Sequence, residues 1–395
     1  MKGQAVGRRG FLQTTAVGAA AFLWGNRARV LAQGSTPIRI EEPFHGAVLN
    51  RRHGQQSADG LKVRVAGRAP AGDRVTINGA LAQREGTRFA AEVVLREKET
   101  EIVAASQGPA GPNEHRVRVL WDRHSFGRYR FSIDDNSFFL RDVAQKKYDS
   151  LFDCFYLKML REMHSEYGAR FVLNIYYTTE DGFDLTQFPD RYKGEWRDNA
   201  DWLKLAFHAH ANLPDRPYQN APAERLIADL DRVAEQIHRF AGPQTYSPPT
   251  VIHWGMVQPA ALKLLAGRGV RALSGYFTRR DGRFYVNYLL DDERSEYLSR
   301  HDALKDFDSG IVFSRVDILC NATPLDRIAP TLEPLAKDPN TAEIMDLFTH
   351  EQYFWPFYAN YLPDHPQRLD AALRWVTKQG YKPVFFHEGL LGAPA

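Results

Sequence analysis

Two apolar, strand-like segments of this chain end in residues that bind metal ions. Residues 129–133 lead into Asp134 and Asp135, and residues 203–207 lead into His208 and His210. A regular strand directs alternate side chains to one face. We therefore expect His208 and His210 to point the same way, about 7 Å apart. One carboxylate and two imidazoles at strand ends are typical of a divalent metal site with an open position, as in enzymes that activate water.

The chain from residue 126 onward alternates between predicted strands and predicted helices. This alternation favours an α/β fold, specifically an irregular (β/α) barrel of about seven strands covering residues 126–395. Such a barrel places its site at the carboxyl ends of its strands. Further strands are predicted at 170–177, 250–252, 270–273, 311–313, 344–348 and 384–386, and helices at 147–167, 223–240, 259–268 and 366–379.

Residues 37–125 show a different pattern, with short alternating apolar segments and frequent turns. Asn78-Gly79 follows one such segment and is a strong hairpin signal. About seven short strands in this region predict a small all-β sandwich resembling an immunoglobulin domain. An additional β-layer packed on the α/β domain is the alternative.

The first 32 residues predict an export signal. Arg8-Arg9 followed by Phe11-Leu12 resembles a twin-arginine signal peptide, and the apolar segment after it is short for a membrane span. Val30-Leu31-Ala32 is a candidate cleavage site. The resemblance implies the twin-arginine export machinery as a partner, a periplasmic or secreted protein, and no stable membrane insertion after cleavage.

The charge of the remaining chain gives no case for nucleic-acid binding. Removing the five basic residues of 1–32 from the 51 in the chain leaves 46 basic against 48 acidic residues. Cys154 and Cys320 are the two cysteines of the sequence, and whether they pair is left open.

Two more histidines are predicted at strand ends. His253 follows the predicted strand 250–252, and His350 follows the strand 344–348. Side chains that could bind a substrate lie beside these positions. They include aromatic faces and charged groups suited to sugars: Trp254, Asp215, Arg216, Glu351 and Tyr353.

These motifs together resemble the polysaccharide deacetylases of the carbohydrate esterase superfamily, which form irregular β/α barrels. In that family, a strand ends in paired aspartates, which implies Asp134 as general base and Asp135 as metal ligand. A late strand ends in a general-acid histidine, which His350 matches. Paired histidines four residues apart complete the family's metal site. Here the spacing is His208-Ala209-His210, so His210 or His253 is the third ligand.

The resemblance implies one divalent metal, Zn²⁺, and a hydrolase that removes acyl groups, chiefly N-acetyl, from a polysaccharide or oligosaccharide. Two alternatives remain open. A glycoside hydrolase or lyase on a related barrel would need paired carboxylates, which Asp134, Glu351 and Glu388 could supply. A non-catalytic glycan-binding protein is the other alternative.

Overall fold

The computed structural model describes residues 37–109, 111–179 and 181–392. The predicted signal peptide at 1–32 lies outside the described residues, and export therefore stays a prediction. Among the helices that are described, none is long and apolar enough to cross a membrane.

The first described part of the chain is all-β. Residues 37–109 and 111–121 form two sheets, in the orders β1-β4-β8-β7 with β3 beside β4, and β2-β10-β9-β5-β6. The strands are β1 (Arg39–Glu42), β2 (Val48–Leu49), β3 (Gln55–Ser57), β4 (Gly60–Arg68), β5 (Arg74–Ile77), β6 (Ala80–Leu81), β7 (Gln83–Glu85), β8 (Arg88–Leu95), β9 (Glu99–Gly108) and β10 (Gly111–Trp121).

Both sheets contribute to one apolar core. Val63 and Phe89 from the first sheet lie in the same buried cluster as Val75, Ile102 and Val119 from the second. They reach it because alternate side chains of each strand point inward. The immunoglobulin-like topology and the boundary at residue 125 stay predictions.

The turn at Asn78-Gly79 forms as its sequence predicts. Ile77 pairs with Ala80 across the antiparallel pair β5–β6. Asn78 and Gly79 have φ of 47° and 83°. Positive φ at both central residues is typical of the tight turns that match the twist of a hairpin.

The rest of the chain is α/β, which confirms the predicted fold class. The strands are β11 (Arg128–Asn136), β12 (Phe171–Tyr176), β13 (Leu203–Ala209), β14 (Tyr246–Ser247), β15 (Ala272–Gly275), β16 (Thr278–Arg280), β17 (Arg283–Tyr285), β18 (Ala303–Lys305), β19 (Val312–Arg315), β20 (Ile318–Leu319), β21 (Ile344–His350) and β22 (Lys382–Pro383). The helices are α1 (Phe138–Lys146), α2 (Phe155–Tyr167), α3 (Lys193–Asp198), α4 (Ala223–Phe240), α5 (Pro259–Gly267), α6 (Asp292–Leu298), α7 (Ile328–Leu335) and α8 (His365–Lys378).

A parallel sheet dominates this part, in the order β14-β13-β12-β11-β21-β20, with β22 also paired to β11. All residues of β11 and β12 are buried, as expected when both faces of a parallel sheet are covered. Helix α4 buries the predicted stripe of Leu226, Leu230 and Val233 against the core.

The strand pairings of the described residues do not close this sheet into a barrel. The strands β15, β19 and β18 form a separate three-stranded sheet. Two isolated backbone hydrogen bonds join β15 to the irregular segments beside it. The Ser274 N–H donates to the Thr250 carbonyl, and the Val316 N–H donates to the Gly275 carbonyl, both at 2.8 Å. The seven-stranded barrel therefore stays a prediction.

Two predicted strands are wrong. Residues 250–252 are irregular, and instead of a strand at 384–386 the chain forms β22 at Lys382–Pro383 and a short 3-10 helix from Phe386. Phe385 packs with Val172 and Ala206 in a small buried cluster. Short apolar segments of this kind are buried without being strands, a distinction that periodicity cannot make.

The predicted helix at 147–167 is also interrupted. Ser150 accepts a hydrogen bond from the Phe152 N–H and caps a short 3-10 helix, Leu151–Asp153. Helix α2 begins only at Phe155. Cys154 lies at this junction, and it and Cys320 are both buried and free.

Candidate metal centre

Three side chains from three parts of the fold converge at the carboxyl end of the parallel sheet. Asp135 lies near the end of β11, His208 near the end of β13, and His253 begins a short 3-10 helix after the irregular segment 250–252. All three are buried, and one ligand atom from each lies within 4.8 Å of the others.

The distances within this group suit a shared cation. His208 Nε2 is 3.1 Å from Asp135 Oδ1 and 3.0 Å from His253 Nδ1, and His253 Nδ1 is 3.4 Å from Asp135 Oδ1. Ligands about 2.1 Å from a tetrahedral metal lie roughly 3.4 Å from one another. Nitrogen and carboxylate donors accept several divalent metals. The group can therefore hold a metal ion, and its chemistry alone does not select which one.

The charges of the group favour an ionised carboxylate. Burial raises the pKa of Asp135, but its hydrogen bonds to His208 and His253 and the nearby His350 outweigh burial and hold this pKa well below its usual value. Burial lowers the pKa of His208, yet the charge of Asp134 and the hydrogen bond to Asp135 raise it overall. An ionised Asp135 is the form that binds a cation.

Irregular backbone brings both aspartates to one histidine. The β11–β12 register shifts between Ile133 and Asn136, and Asp135 has a left-handed φ of 58°. Asp134 Oδ2 and Asp135 Oδ1 consequently lie 3.9 and 3.1 Å from His208 Nε2. A regular strand would direct these neighbours to opposite faces. Left-handed backbone is costly for a residue other than glycine, and such strain is concentrated at functional sites.

A second bulge separates His210 from the group. Ile175 pairs with Phe207 and Tyr176 with Ala209, so His208 is an extra residue in β13. The ring of His210 stacks on Tyr177 at 5.3 Å. The expectation that His208 and His210 point the same way is therefore wrong, because the bulge breaks the alternation. The third position near Asp135 and His208 belongs to His253.

Asp134 is held beside this group by two neutral side chains. Ser132 Oγ and Asn174 Nδ2 both donate to Asp134 Oδ1, at 3.0 and 2.6 Å. This leaves Oδ2 on the side of His208. Neither donor was predicted from the sequence. The available signal was Asn174, a polar residue within an otherwise apolar strand.

His350 lies opposite Asp134 in the parallel pair β11–β21. Its Nε2 is 3.9 Å from Asp135 Oδ2, and its Nδ1 is 3.0 Å from Asn321 Oδ1. An amide oxygen accepts a hydrogen bond, so this contact fixes the proton on Nδ1 and directs Nε2 towards the metal group.

Two further side chains orient the Asp135 carboxylate. The Tyr176 hydroxyl donates to Asp135 Oδ1 and lies 3.2 Å from His253 Nδ1. Gln352 Nε2 donates to Asp135 Oδ2 at 2.7 Å. Burial and the charge of Asp135 raise the pKa of Tyr176 well above its usual value, so the hydroxyl remains a donor. The signal for Tyr176 in the sequence was its place at the end of the strand between the two ligand strands.

A cavity of about 290 Å³ opens on the metal group. Its walls include Asp134, Asp135, His208, His253 and His350. Trp254 and Asp215, which were predicted to bind a substrate, line the same cavity. A second cavity of about 380 Å³ lies on the other side of Asp135 and is bounded by Tyr176 and Gln352.

The remaining predicted substrate residues differ in position. Arg216 stacks on Trp254, with its guanidinium carbon 5.0 Å from the ring centroid. Tyr353 lies beside His350, at 6.2 Å between ring centroids, and lines neither of the two cavities.

Glu351 is not placed to bind a substrate. Its carboxylate accepts hydrogen bonds from the backbone N–H groups of Ser137, Phe138 and Phe139, at 2.6, 2.9 and 2.6 Å, and its side chain is fully buried. It caps the start of α1, where unpaired N–H groups favour a carboxylate. The prediction was wrong because the sequence does not reveal this burial.

The carboxylates required for glycosidic cleavage do not converge. Glu351 is occupied by α1, and Glu388 lies 3.9 Å from Arg170, which immediately precedes β12. Glu388 therefore lies at the amino end of the parallel strands, whereas Asp134 lies at their carboxyl end. This arrangement does not favour the glycoside hydrolase alternative.

No known protein family and no curated protein matches this sequence. Similar solved structures include titin domains Z1Z2 in complex with telethonin (8% identity, TM-score 0.17, covering 26% of this chain and 59% of that one). A second is 4-alpha-glucanotransferase from Thermococcus litoralis (12% identity, TM-score 0.40, covering 67% of this chain and 40% of that one). A third is a protein described as an alpha-galactosidase from Bacteroides fragilis (12% identity, TM-score 0.24, covering 86% of this chain and 78% of that one). This chain thus covers less than two thirds of the length of the titin and glucanotransferase chains. At these TM-scores the similarities assign no function.

Proposed function

We propose that this protein is a metal-dependent hydrolase that removes acyl groups, chiefly N-acetyl, from a polysaccharide or oligosaccharide. The observation that carries the proposal is the buried group of Asp135, His208 and His253, which opens on a cavity lined by Asp134 and His350. A ligand group, a base and an acid around one cavity are the parts that amide hydrolysis needs.

Asp135, His208 and His253 would hold the metal, for which we propose Zn²⁺. Bound there, such an ion supplies Lewis acidity and a water with a pKa of about 7. Asp134 Oδ2 faces the group because its other oxygen is occupied by Ser132 and Asn174. We assign to Oδ2 the acceptance of the proton of the attacking water.

His350, as an imidazolium that keeps its Nδ1 proton, is assigned the delivery of its Nε2 proton to the leaving amine. Its Nδ1 is engaged by Asn321, and its Nε2 faces the cavity. Trp254, which lines the cavity, is 36% exposed, and an exposed aromatic ring is the kind of surface on which a sugar ring packs.

Acetate release tests the proposal. Protein reconstituted with one equivalent of Zn²⁺ should release acetate from N-acetylated oligosaccharides, and His208→Ala should release none. His210→Ala is the matched control, because that ring lies outside the group. Failure of the metal-loaded protein to release acetate from neutral and acidic N-acetylated oligosaccharides alike would reject the deacetylase assignment.

A further inference from the structure

Arg216 packs on Trp254, one of the residues that line the metal-site cavity. Its guanidinium carbon lies 5.0 Å from the ring centroid of Trp254 and 5.3 Å from that of Tyr285. Within the described part of the chain, the buried Nε of Arg216 has no hydrogen-bond partner. Aromatic faces stabilise the cation while leaving the in-plane N–H groups able to donate.

The hairpin that supplies Tyr285 is rich in arginine. Strands β16 and β17 carry Arg279, Arg280 and Arg283, against one acidic residue, Asp281, in the turn. All three arginines are exposed. The hairpin thus adds positive charge to the side of the cavity where Arg216 lies.

Beside the hairpin is a larger cavity of about 530 Å³, lined by Arg279, Arg300 and Arg315. It shares Tyr276, Val316 and Leu319 with the metal-site cavity. The two cavities therefore border the same wall, and a ligand extended along that wall could enter both.

Fewer acids than arginines face this larger cavity. Glu296 pairs with both Arg279 and Arg300, and Asp317 pairs with Arg315 at 3.1 Å. Burial raises the pKa of Asp317 to about 7, which reduces its negative charge at neutral pH. On the metal-site side, Asp215 adjoins Arg216 and is the nearest acid along the chain.

We propose that the substrate is an acidic glycan, in which a uronic acid carboxylate binds Arg216 while the neighbouring sugar residues extend into the arginine-lined cavity. A carboxylate matches the planar, bidentate geometry of a guanidinium. This inference rests on the proposed function for the identification of the substrate as a glycan, and it adds the charge that distinguishes the substrate from a neutral polymer of N-acetylated sugars.

The test compares two ligands that differ only at the carboxyl groups of their uronic acids. The Zn²⁺-loaded protein is titrated calorimetrically with a hexasaccharide of alternating glucuronate and N-acetylglucosamine, and with the same hexasaccharide after reduction of its carboxyl groups. The carboxylate form should bind about tenfold more tightly or better, as expected for one charge-assisted contact. Raising the salt concentration should narrow this difference.

Substitutions locate the effect. Arg216→Gln should remove most of the preference for the carboxylate form, and Arg300→Gln, at an exposed position, should reduce it without affecting the fold. Arg268→Gln should leave the preference intact, because Arg268 is an exposed residue paired with Asp231, whereas Arg216 packs on Trp254 of the metal-site cavity. Equal affinity for the two hexasaccharides, binding of neither, or an unchanged preference in Arg216→Gln would overturn the inference.

Acetate release separates this result from the proposed activity. Preferential binding of the carboxylate form without acetate release would support acidic recognition and reject the deacetylase. Equal acetate release from both forms, with equal affinity, would support the deacetylase and reject the role of Arg216.

Discussion

His208 Nε2 lies 3.0 Å from His253 Nδ1, and the two rings come from segments 45 residues apart in the chain. Asp135 Oδ1 completes a triangle of ligand atoms with them. Such close approach of two imidazole nitrogens and a carboxylate oxygen is what a single bound cation would stabilise.

The first prediction concerns metal content. Purified protein should bind one divalent metal per chain, and Asp135→Ala, His208→Ala or His253→Ala should each lose it. His210→Ala should retain it, because the His210 ring stacks on Tyr177 outside the group. Elemental analysis after dialysis measures the outcome. Loss of metal in His210→Ala with retention in His253→Ala would contradict the assignment.

Asp134→Asn should slow turnover without removing the metal. Loss of a positioned base typically costs about 10²–10⁴ in rate, and the amide can still accept from Ser132 and Asn174. We expect kcat for acetate release to fall by that amount while the metal content stays at the level of the unchanged protein. An unchanged kcat would exclude the base role.

Tyr176→Phe should weaken metal binding. The Tyr176 hydroxyl donates to Asp135 Oδ1, and loss of a side chain that orients a ligand typically costs about 10- to 100-fold in metal affinity. Competition with a fluorescent chelator measures the affinity. Tyr177→Phe is the matched control, since Tyr177 stacks on His210. Equal losses in both variants would indicate a general effect on the fold.

Glu351 should affect stability rather than recognition. Glu351→Ala leaves three N–H groups at the start of α1 without their acceptor, which should cost about 3 kcal/mol in the free energy of unfolding. Chemical denaturation measures this cost. A variant of full stability with weakened oligosaccharide binding would restore the earlier assignment of Glu351 to the substrate site.

The same residue predicts a pH dependence. Burial raises the pKa of Glu351 to about 7, although hydrogen bonds from the α1 backbone lower it. Because the folded state keeps this proton more tightly than the unfolded state, the part of the stability that Glu351 contributes through its proton is present below about pH 4.5 and is lost as the pH rises through 7. The difference in unfolding free energy between the unchanged protein and Glu351→Gln should therefore shrink over this range. A difference that grows with pH would contradict the raised pKa.

Export is predicted from Arg8-Arg9 and the apolar segment behind them. Replacing both arginines with lysine should leave the protein in the cytoplasm, and the exported form of the unchanged protein should begin near Gln33. Cell fractionation with N-terminal sequencing measures both. Undiminished export of the double variant would indicate the general secretory route.

Regular periodicity predicted the regular parts of the molecule well. Helix α4 begins and ends where its apolar stripe does, because burial of that stripe is what stabilises the helix. Asp135 and His208 were identifiable because ligand-type residues directly follow apolar segments. In contrast, the position of His210 depends on the bulge in β13, and the role of Glu351 depends on its burial against α1. Neither feature leaves a periodic signal in the sequence. Ser132, Asn174 and Gln352 are neutral residues whose roles depend only on what lies beside them in the fold.

The bulge at His208 has a consequence for how this chain tolerates change in length. Because His208 is itself the extra residue of the bulge and lies beside a ligand from another segment, the triangle does not depend on a second histidine at a fixed spacing in β13. The 44 residues between His208 and His253, including all of α4, connect the ligands without belonging to the triangle. Insertions or deletions in their surface loops should be absorbed locally as long as both ends stay anchored to the sheet.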